Sequence, residues 1–262
     1  MKNMYMDYHL KISFDNKINH HFFSLRCLPK TEPRQIISDV RISLDADYFS
    51  FSKDSFGNRF WYGYKEQEST ELNLHVTAKA LVNWQKYDFD NHLNDVFCLP
   101  TSQTTIGENL LPFYQSCLIK TENISNDYDK CLCIMQMVHN TMSYVPEITN
   151  IKTTADEAFS LKKGVCQDYA QIMLAITRKM KIPSRYVAGV MLNEKFTHAW
   201  VEVFVNKRWY GLDPTNNLLV NDAYIVFSRG RDYKDCLVNK GIFFSPIAVK
   251  QSQNIILKVE EV

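Results

Sequence analysis

Three residues of this chain have types and surroundings that could do nucleophilic chemistry together: Cys166, His198 and Asp213. Cys166 lies in Gly164-Val165-Cys166-Gln167-Asp168-Tyr169-Ala170. After it, Tyr169, Ile172, Met173, Ile176 and Met180 recur at helical spacing until Lys181-Ile182-Pro183 stops the pattern. The spacing predicts a helix with the cysteine in its first turn. There the unsatisfied amides and the helix dipole favour thiolate over thiol, the reactive form of a cysteine.

A thiolate needs a base, and the base needs a group to orient it. Thr197-His198-Ala199-Trp200-Val201-Glu202-Val203-Phe204-Val205 alternates like a half-buried strand, and Arg208-Trp209-Tyr210-Gly211-Leu212-Asp213-Pro214-Thr215 reads as a second strand ending at a proline. If Asn206-Lys207 is a two-residue turn, Val205 pairs with Arg208 and Asp213 falls opposite Trp200. Asp213 then shares a sheet face with His198 and lies diagonal to it, close enough for carboxylate and imidazole to meet. The parity requires in addition that the Cys166 helix pack on that same face.

Gly-Val-Cys-Gln-Asp-Tyr-Ala, Thr-His-Ala-Trp-Val-Glu-Val and Leu-Asp-Pro-Thr-Asn, in this order, resemble the three catalytic blocks of the bacterial transglutaminase-like superfamily. The resemblance continues through Lys181-Ile182-Pro183-Ser184-Arg185-Tyr186-Val187-Ala188-Gly189 and Gly230-Arg231-Asp232-Tyr233, and covers residues 105 to 262. Ser55-Phe56-Gly57-Asn58-Arg59 resembles a turn in the N-terminal domain often fused to such cores. The resemblance implies a papain-like core and acyl transfer through a Cys166-His198-Asp213 triad, with a thioester intermediate and no cofactor. Water as acceptor would make the chain a cysteine peptidase or amidase; an amine would make it a transglutaminase. Hydrolysis is the expected outcome because no acceptor-binding insertion is evident. A catalytically silent core, kept as a binding groove, is the rival from another class. Tyr144 occupies a place where the family often has an aromatic near the site, but the Cys166 backbone N–H is the better oxyanion donor. Asp168 reads as structural, and Trp200 and Trp209 as core or groove wall.

The 262 residues, 45% hydrophobic and 23% charged, suit a folded chain of about two domains. A formal charge of +1, with no basic stripe among aromatics, argues against nucleic acid as partner; a protein or peptide substrate is expected instead. No long apolar run and no signal-like N-terminus are present, so no membrane partner and a cytoplasmic address are expected. Seven scattered cysteines fit reduced thiols. Cys131-Leu132-Cys133 lacks ligands at zinc spacing, and no carboxylate cluster suggests calcium, so no metal is expected.

Alternation in Met6–Phe14, Phe23–Cys27, Val40–Leu44, Phe60–Tyr64 and Leu72–Val82 predicts an N-terminal antiparallel β-sandwich over residues 1–103, with His20-His21 in a solvated turn. Residues 86 to 110, with Asn91, Asn94, Pro100 and Gly107, read as a connector. Residues 104–262 form the second domain: a helix capped by Asn126, a capping box at Thr154 to Glu157, the cysteine helix, then strands ending at Ile255-Ile256-Leu257-Lys258-Val259. The fold class is α+β, with the cysteine helix laid on an antiparallel sheet.

Overall fold

A computed structural model of the chain describes residues 1–85, 93 and 95–262; Asn91 and Asn94 of the predicted connector lie outside the described residues. The N-terminal part holds β1 (Lys2–Leu25), β2 (Gln35–Leu44), β3 (Tyr48–Lys53), β4 (Arg59–Lys65) and β5 (Ser69–Val82). The second part runs α1 (Leu111–Thr121), α2 (Asp127–Thr141), β6 (Ser143–Tyr144), α3 (Ala155–Leu161), β7 (Lys163–Gly164), α4 (Cys166–Lys179), β8 (Ser184–Met191), β9 (His198–Val205), β10 (Arg208–Asp213), β11 (Leu218–Leu219), β12 (Tyr224–Gly230), β13 (Asn239–Phe244) and β14 (Gln251–Glu261).

The 24-residue strand β1 belongs to two antiparallel sheets. Its first half pairs with β5 and β14, and β2 extends that sheet beyond β5. Its second half pairs with β4 and β13, and β3 lies beyond β4. Register shifts between Ser13 and Ile18 and between Asn19 and Phe22 turn the strand from one sheet into the other. Met4, Met6, Tyr8, Leu10 and Ile12 alternate into the core, as the period-two pattern predicts.

Three expectations need correction here. The C-terminal strands β13 and β14 do not extend the cysteine-helix sheet but flank β1, so Leu257 and Val259 are buried in the N-terminal core. Alternating residues fit any sheet with an open edge, and sequence order does not say which edge is free. His21 is not in a solvated turn: after His20, at φ 49°, it turns inward, 2% exposed, against Phe14, Phe23 and Phe243. Burial there, aided by the Lys65 charge, lowers its pKa to about 4, so the ring is neutral. Tyr62 and Val40 lie on outward faces.

The second sheet has the order β11-β10-β9-β8-β12, all antiparallel. One face carries α4, whose Ile172, Met173 and Ile176 share a core with Ala199, Val201, Val203 and Leu212. The β8–β12 end of the sheet meets the N-terminal sheets: Val190, Ile225 and Phe227 are buried in the same cluster as Met4 and Tyr8. Buried polar groups lock this junction. Gln35 bonds Val226 through both its amide ends, and Asn58, in the turn after Gly57, does the same with Arg229. Gly57 has φ 74°, which that turn demands. Arg229 also grips Glu32 with two bonds of 2.6 and 2.8 Å and shares Glu202 with Arg185.

The helix boundaries follow from their caps. Asn126 accepts from the Tyr128 amide, and Thr154 and Glu157 form the reciprocal capping box. Helix α1, entered at Pro112, carries no comparable signal and was not anticipated from the sequence. No helix among the described residues is long and apolar enough to cross a membrane.

Candidate active site

Cys166 is the first residue of α4, where the leading backbone N–H groups have no partner within the helix. Val165, the residue before, has no acceptor of its own, so half of a capping box forms: the Asp168 carboxylate accepts the Val165 amide at 2.8 Å. Thr149 donates to the same oxygen at 2.7 Å. Asp168 is wholly buried and its other oxygen has no partner among the described residues. Burial raises its pKa, and the bonds from Thr149 and Val165 partly oppose that. This is the structural role its position suggested. The carboxylate also explains Gly164, because a Cβ there would lie 2.5 Å from Asp168 Oδ2.

The β9–β10 hairpin forms in the expected register, Arg208 opposite Val205 and Leu212 opposite Val201. Asn206 and Lys207 both take positive φ, 51° and 63°, as a two-residue turn matched to strand twist requires. His198 thereby begins β9 at the end of the sheet where Asp213 closes β10, and His198 Nε2 meets Asp213 Oδ2 at 2.8 Å. Asp213 is fully buried and tightly held. Its Oδ1 accepts the Thr215 and Asn216 amides, and its Oδ2 accepts the Asn216 side chain and the Tyr224 hydroxyl, each at 2.9 Å. The local Asp-Pro-Thr-Asn turn is visible in the sequence as an Asx-type motif. Tyr224 comes from β12 and has no such signal.

One geometric condition fails. Helix α4 covers the face bearing Ala199 and Val201, whereas His198 and Trp200 point to the opposite face, where Trp200 packs with Val187 and Tyr224. The thiol and the imidazole nonetheless line one cavity, His198 being the first residue of its strand, at the end of the sheet. With Nε2 committed to Asp213, Nδ1 is the nitrogen left for the sulfur. Trp200 stacks beside the ring, centroids 6.3 Å apart, and fills the space over Gly189, where a Cβ would strike its indole at 2.6 Å.

Burial works against a charged His198, but hydrogen bonds to Asp213 and Cys166 and their negative charge outweigh it and raise the imidazole to about 10. Asp213 moves the other way: burial raises its pKa, and the bond to His198 more than offsets this, leaving it lowered. Cys166 and His198 line a cavity of about 310 Å³ with Tyr144, Tyr186, Phe196 and Tyr233. Tyr144 is brought there by the parallel pairing of β6 with β7, Tyr144 opposite Gly164. Phe196 and Tyr144, at 67% and 54% exposure, frame an open mouth. Trp209 is buried against Phe97, Phe204 and Arg185, away from the cavity. Cys131 lies in the core and does not approach the site.

Residues 118–214 match the family model of the transglutaminase-like superfamily, a span that holds Cys166, His198 and Asp213. This segment is similar to the transglutaminase-like superfamily. An uncharacterized protein of Mycobacterium leprae is 34% identical over 112 residues, which are 39% of this chain and 40% of that protein. One of Mycobacterium tuberculosis is 33% identical over 138 residues, 47% of this chain and 42% of that protein. The match thus spans about two fifths of the length of these curated relatives. A solved structure from Cytophaga hutchinsonii, of a candidate cysteine protease, superposes with a TM-score of 0.80 at 20% identity, covering 100% of this chain and 92% of that one. The shared fold therefore includes the N-terminal sheets along with the second sheet and its helices.

Proposed function

We propose that the chain is a thiol-dependent acyl-transfer enzyme that hydrolyses peptide bonds or glutamine-type carboxamides through Cys166, His198 and Asp213. The observation that carries this reading is the 2.8 Å bond between His198 and the buried Asp213 carboxylate, with His198 and Cys166 lining one open cavity. With its pKa at about 10, the ring already holds two protons at neutral pH, Nε2–H on Asp213 and Nδ1–H toward the sulfur. The Sγ electron pair forms a bond to the carbonyl carbon, and the oxyanion is stabilised by the free N–H groups at the start of α4. On collapse the C–N bond breaks, Nδ1–H protonates the departing amine, and a thioester remains. Water then attacks while Nδ1 takes its proton, and release of the carboxylic acid returns sulfur to its starting form. Asp213 fixes the tautomer throughout.

Transfer to an amine would require that water be kept from the thioester. The exposed Phe196 and Tyr144 leave the mouth open to solvent, which favours water as acceptor. A related fold carries a candidate cysteine protease, in line with this preference. The test is mass spectrometry of a glutamine-containing peptide incubated with the protein, with and without a primary amine, beside Cys166→Ala. Acid or cleavage products that require Cys166 are expected. A dominant amine adduct would make the chain a transferase, and no covalent product under either condition would leave the groove as a binding site only.

A further inference from the structure

Far from the thiol in sequence, the outward face of the first sheet brings two histidines and an aspartate to one point. His9 on β1 stands directly opposite His75 on β5, and Asp7 lies two residues along β1 on the same face. The flanking residues Met6, Tyr8 and Leu10 point into the core and hold the backbone, so the convergence is set by strand register and not by flexible reach. The two imidazoles stack at 3.7 Å with an interplanar angle of 16°. Both turn Nε2 to the same atom, Asp7 Oδ1, at 3.0 and 2.9 Å. The three donor atoms all lie within 4.8 Å of one another.

We infer that Asp7, His9 and His75 form a surface site for a divalent transition metal of the zinc type. A tetrahedral ion roughly 2.0–2.1 Å from each ligand holds its ligands roughly 3.3 Å apart, so small side-chain rotations suffice to admit it. Two imidazole nitrogens and one carboxylate oxygen select zinc, nickel or copper over magnesium and calcium, which take oxygen ligands. Each imidazole would bind the ion through Nε2 as the neutral tautomer that carries its one ring proton on Nδ1. Lys258 lies opposite Asp7 on β14, but its ammonium is engaged by Glu260 at 2.8 Å. His9 and His75 also line a cavity of about 370 Å³ with Ser43, Asn73 and Asn254, which gives the remaining coordination positions access to solvent. Such an ion ties β1 to β5 and stabilises the folded chain by binding it in preference to the unfolded one.

Calorimetric titration of the full chain with zinc chloride, followed by thermal melts over the same concentrations, tests the site. One zinc per chain at micromolar affinity is expected, with a melting temperature that rises with zinc and not with magnesium. His9→Ala and His75→Ala, at an exposed and a half-buried position, should weaken binding by more than about tenfold and remove the zinc-dependent rise, while melting as the parent does in chelator. Cys166→Ser should bind zinc as tightly as the parent. Equal binding by parent and both histidine variants, loss of binding in Cys166→Ser, or no binding at millimolar zinc would each overturn the assignment.

Discussion

Nε2 of His198 and Oδ2 of Asp213 stand 2.8 Å apart across a hairpin that separates them by 15 residues, and the carboxylate is fixed from four further directions. The imidazole is therefore anchored through Nε2, which leaves Nδ1 as the nitrogen for the sulfur. Asp213→Asn keeps the shape but presents a carboxamide that can favour the wrong tautomer. We expect a roughly hundred- to ten-thousandfold loss of kcat/KM on the peptide substrate, with little change in KM. A loss confined to KM would mean that Asp213 shapes binding and not the imidazole.

The thiols differ sharply in environment. Burial pushes Cys27, Cys117 and Cys131 up to about 12, and Cys236 higher still, whereas Cys166 opens on the cavity beside a positively charged ring. With limiting iodoacetamide on the folded protein, peptide mapping should find Cys166 carboxamidomethylated first. His198→Ala should slow that reaction to the pace of the remaining cysteines. Equal labelling of several cysteines in the parent would remove the activated thiol.

The same pair sets a pH dependence of stability. The His198 pKa is about 10 when folded against about 6.5 when unfolded, so its contribution is complete below about pH 6.5 and is lost as the pH rises through 10. Asp213 is lowered on folding, so its contribution is present above its unfolded value and lost as the pH falls below it. Urea midpoints should accordingly decline on the alkaline side in the parent and decline less in His198→Ala. Parallel alkaline declines would contradict the charged-ring reading.

Glu202 governs the junction between the two sheet systems. Burial raises its pKa, but Arg185 and Arg229 overcome this and bring it to about 2, so its contribution persists above pH 4.5 and fades as acid approaches 2. Glu202→Gln would leave two buried guanidiniums short of an anion, and we expect a loss of about 3–5 kcal/mol by chemical denaturation. A loss within about 0.5 kcal/mol would show that Glu32 alone neutralises the pair.

Gly164→Ala sets a methyl group against the Asp168 carboxylate. To make room, the side chain must release the Val165 amide, and the first turn of α4 shifts. Both a lower melting temperature and slower Cys166 alkylation are expected. An unchanged alkylation rate would show that the turn accommodates the methyl without moving the thiol.

Much of the site was legible because its parts are local. A helix start, a hairpin with a two-residue turn and an Asp-Pro-Thr-Asn turn each follow from neighbouring residues, and strand parity linked His198 to Asp213. Parity misled on the helix face, because it treats a strand as endless, and His198 sits where the strand begins and its ring is free to turn. Tyr224, His21, the partners of β14 and the grouping of His9 with His75 depend on which distant strands become neighbours. No local pattern carries that information. Asp168 stood between the two cases: its position in the first turn indicated a backbone role, but the link to Gly164 needed coordinates.

The sharing of β1 between two sheets reaches into how the polypeptide acquires its shape. Residues 4–14 line up against residues 251–261, so one flank of β1 waits for a segment made more than 230 residues later. Until then its amides and carbonyls stand bare along eleven positions, an invitation to pair with another nascent molecule. Removal of residues 251–261 would make that transient hazard permanent, and insoluble product during expression is the expected sign, whatever the state of the thiol centre.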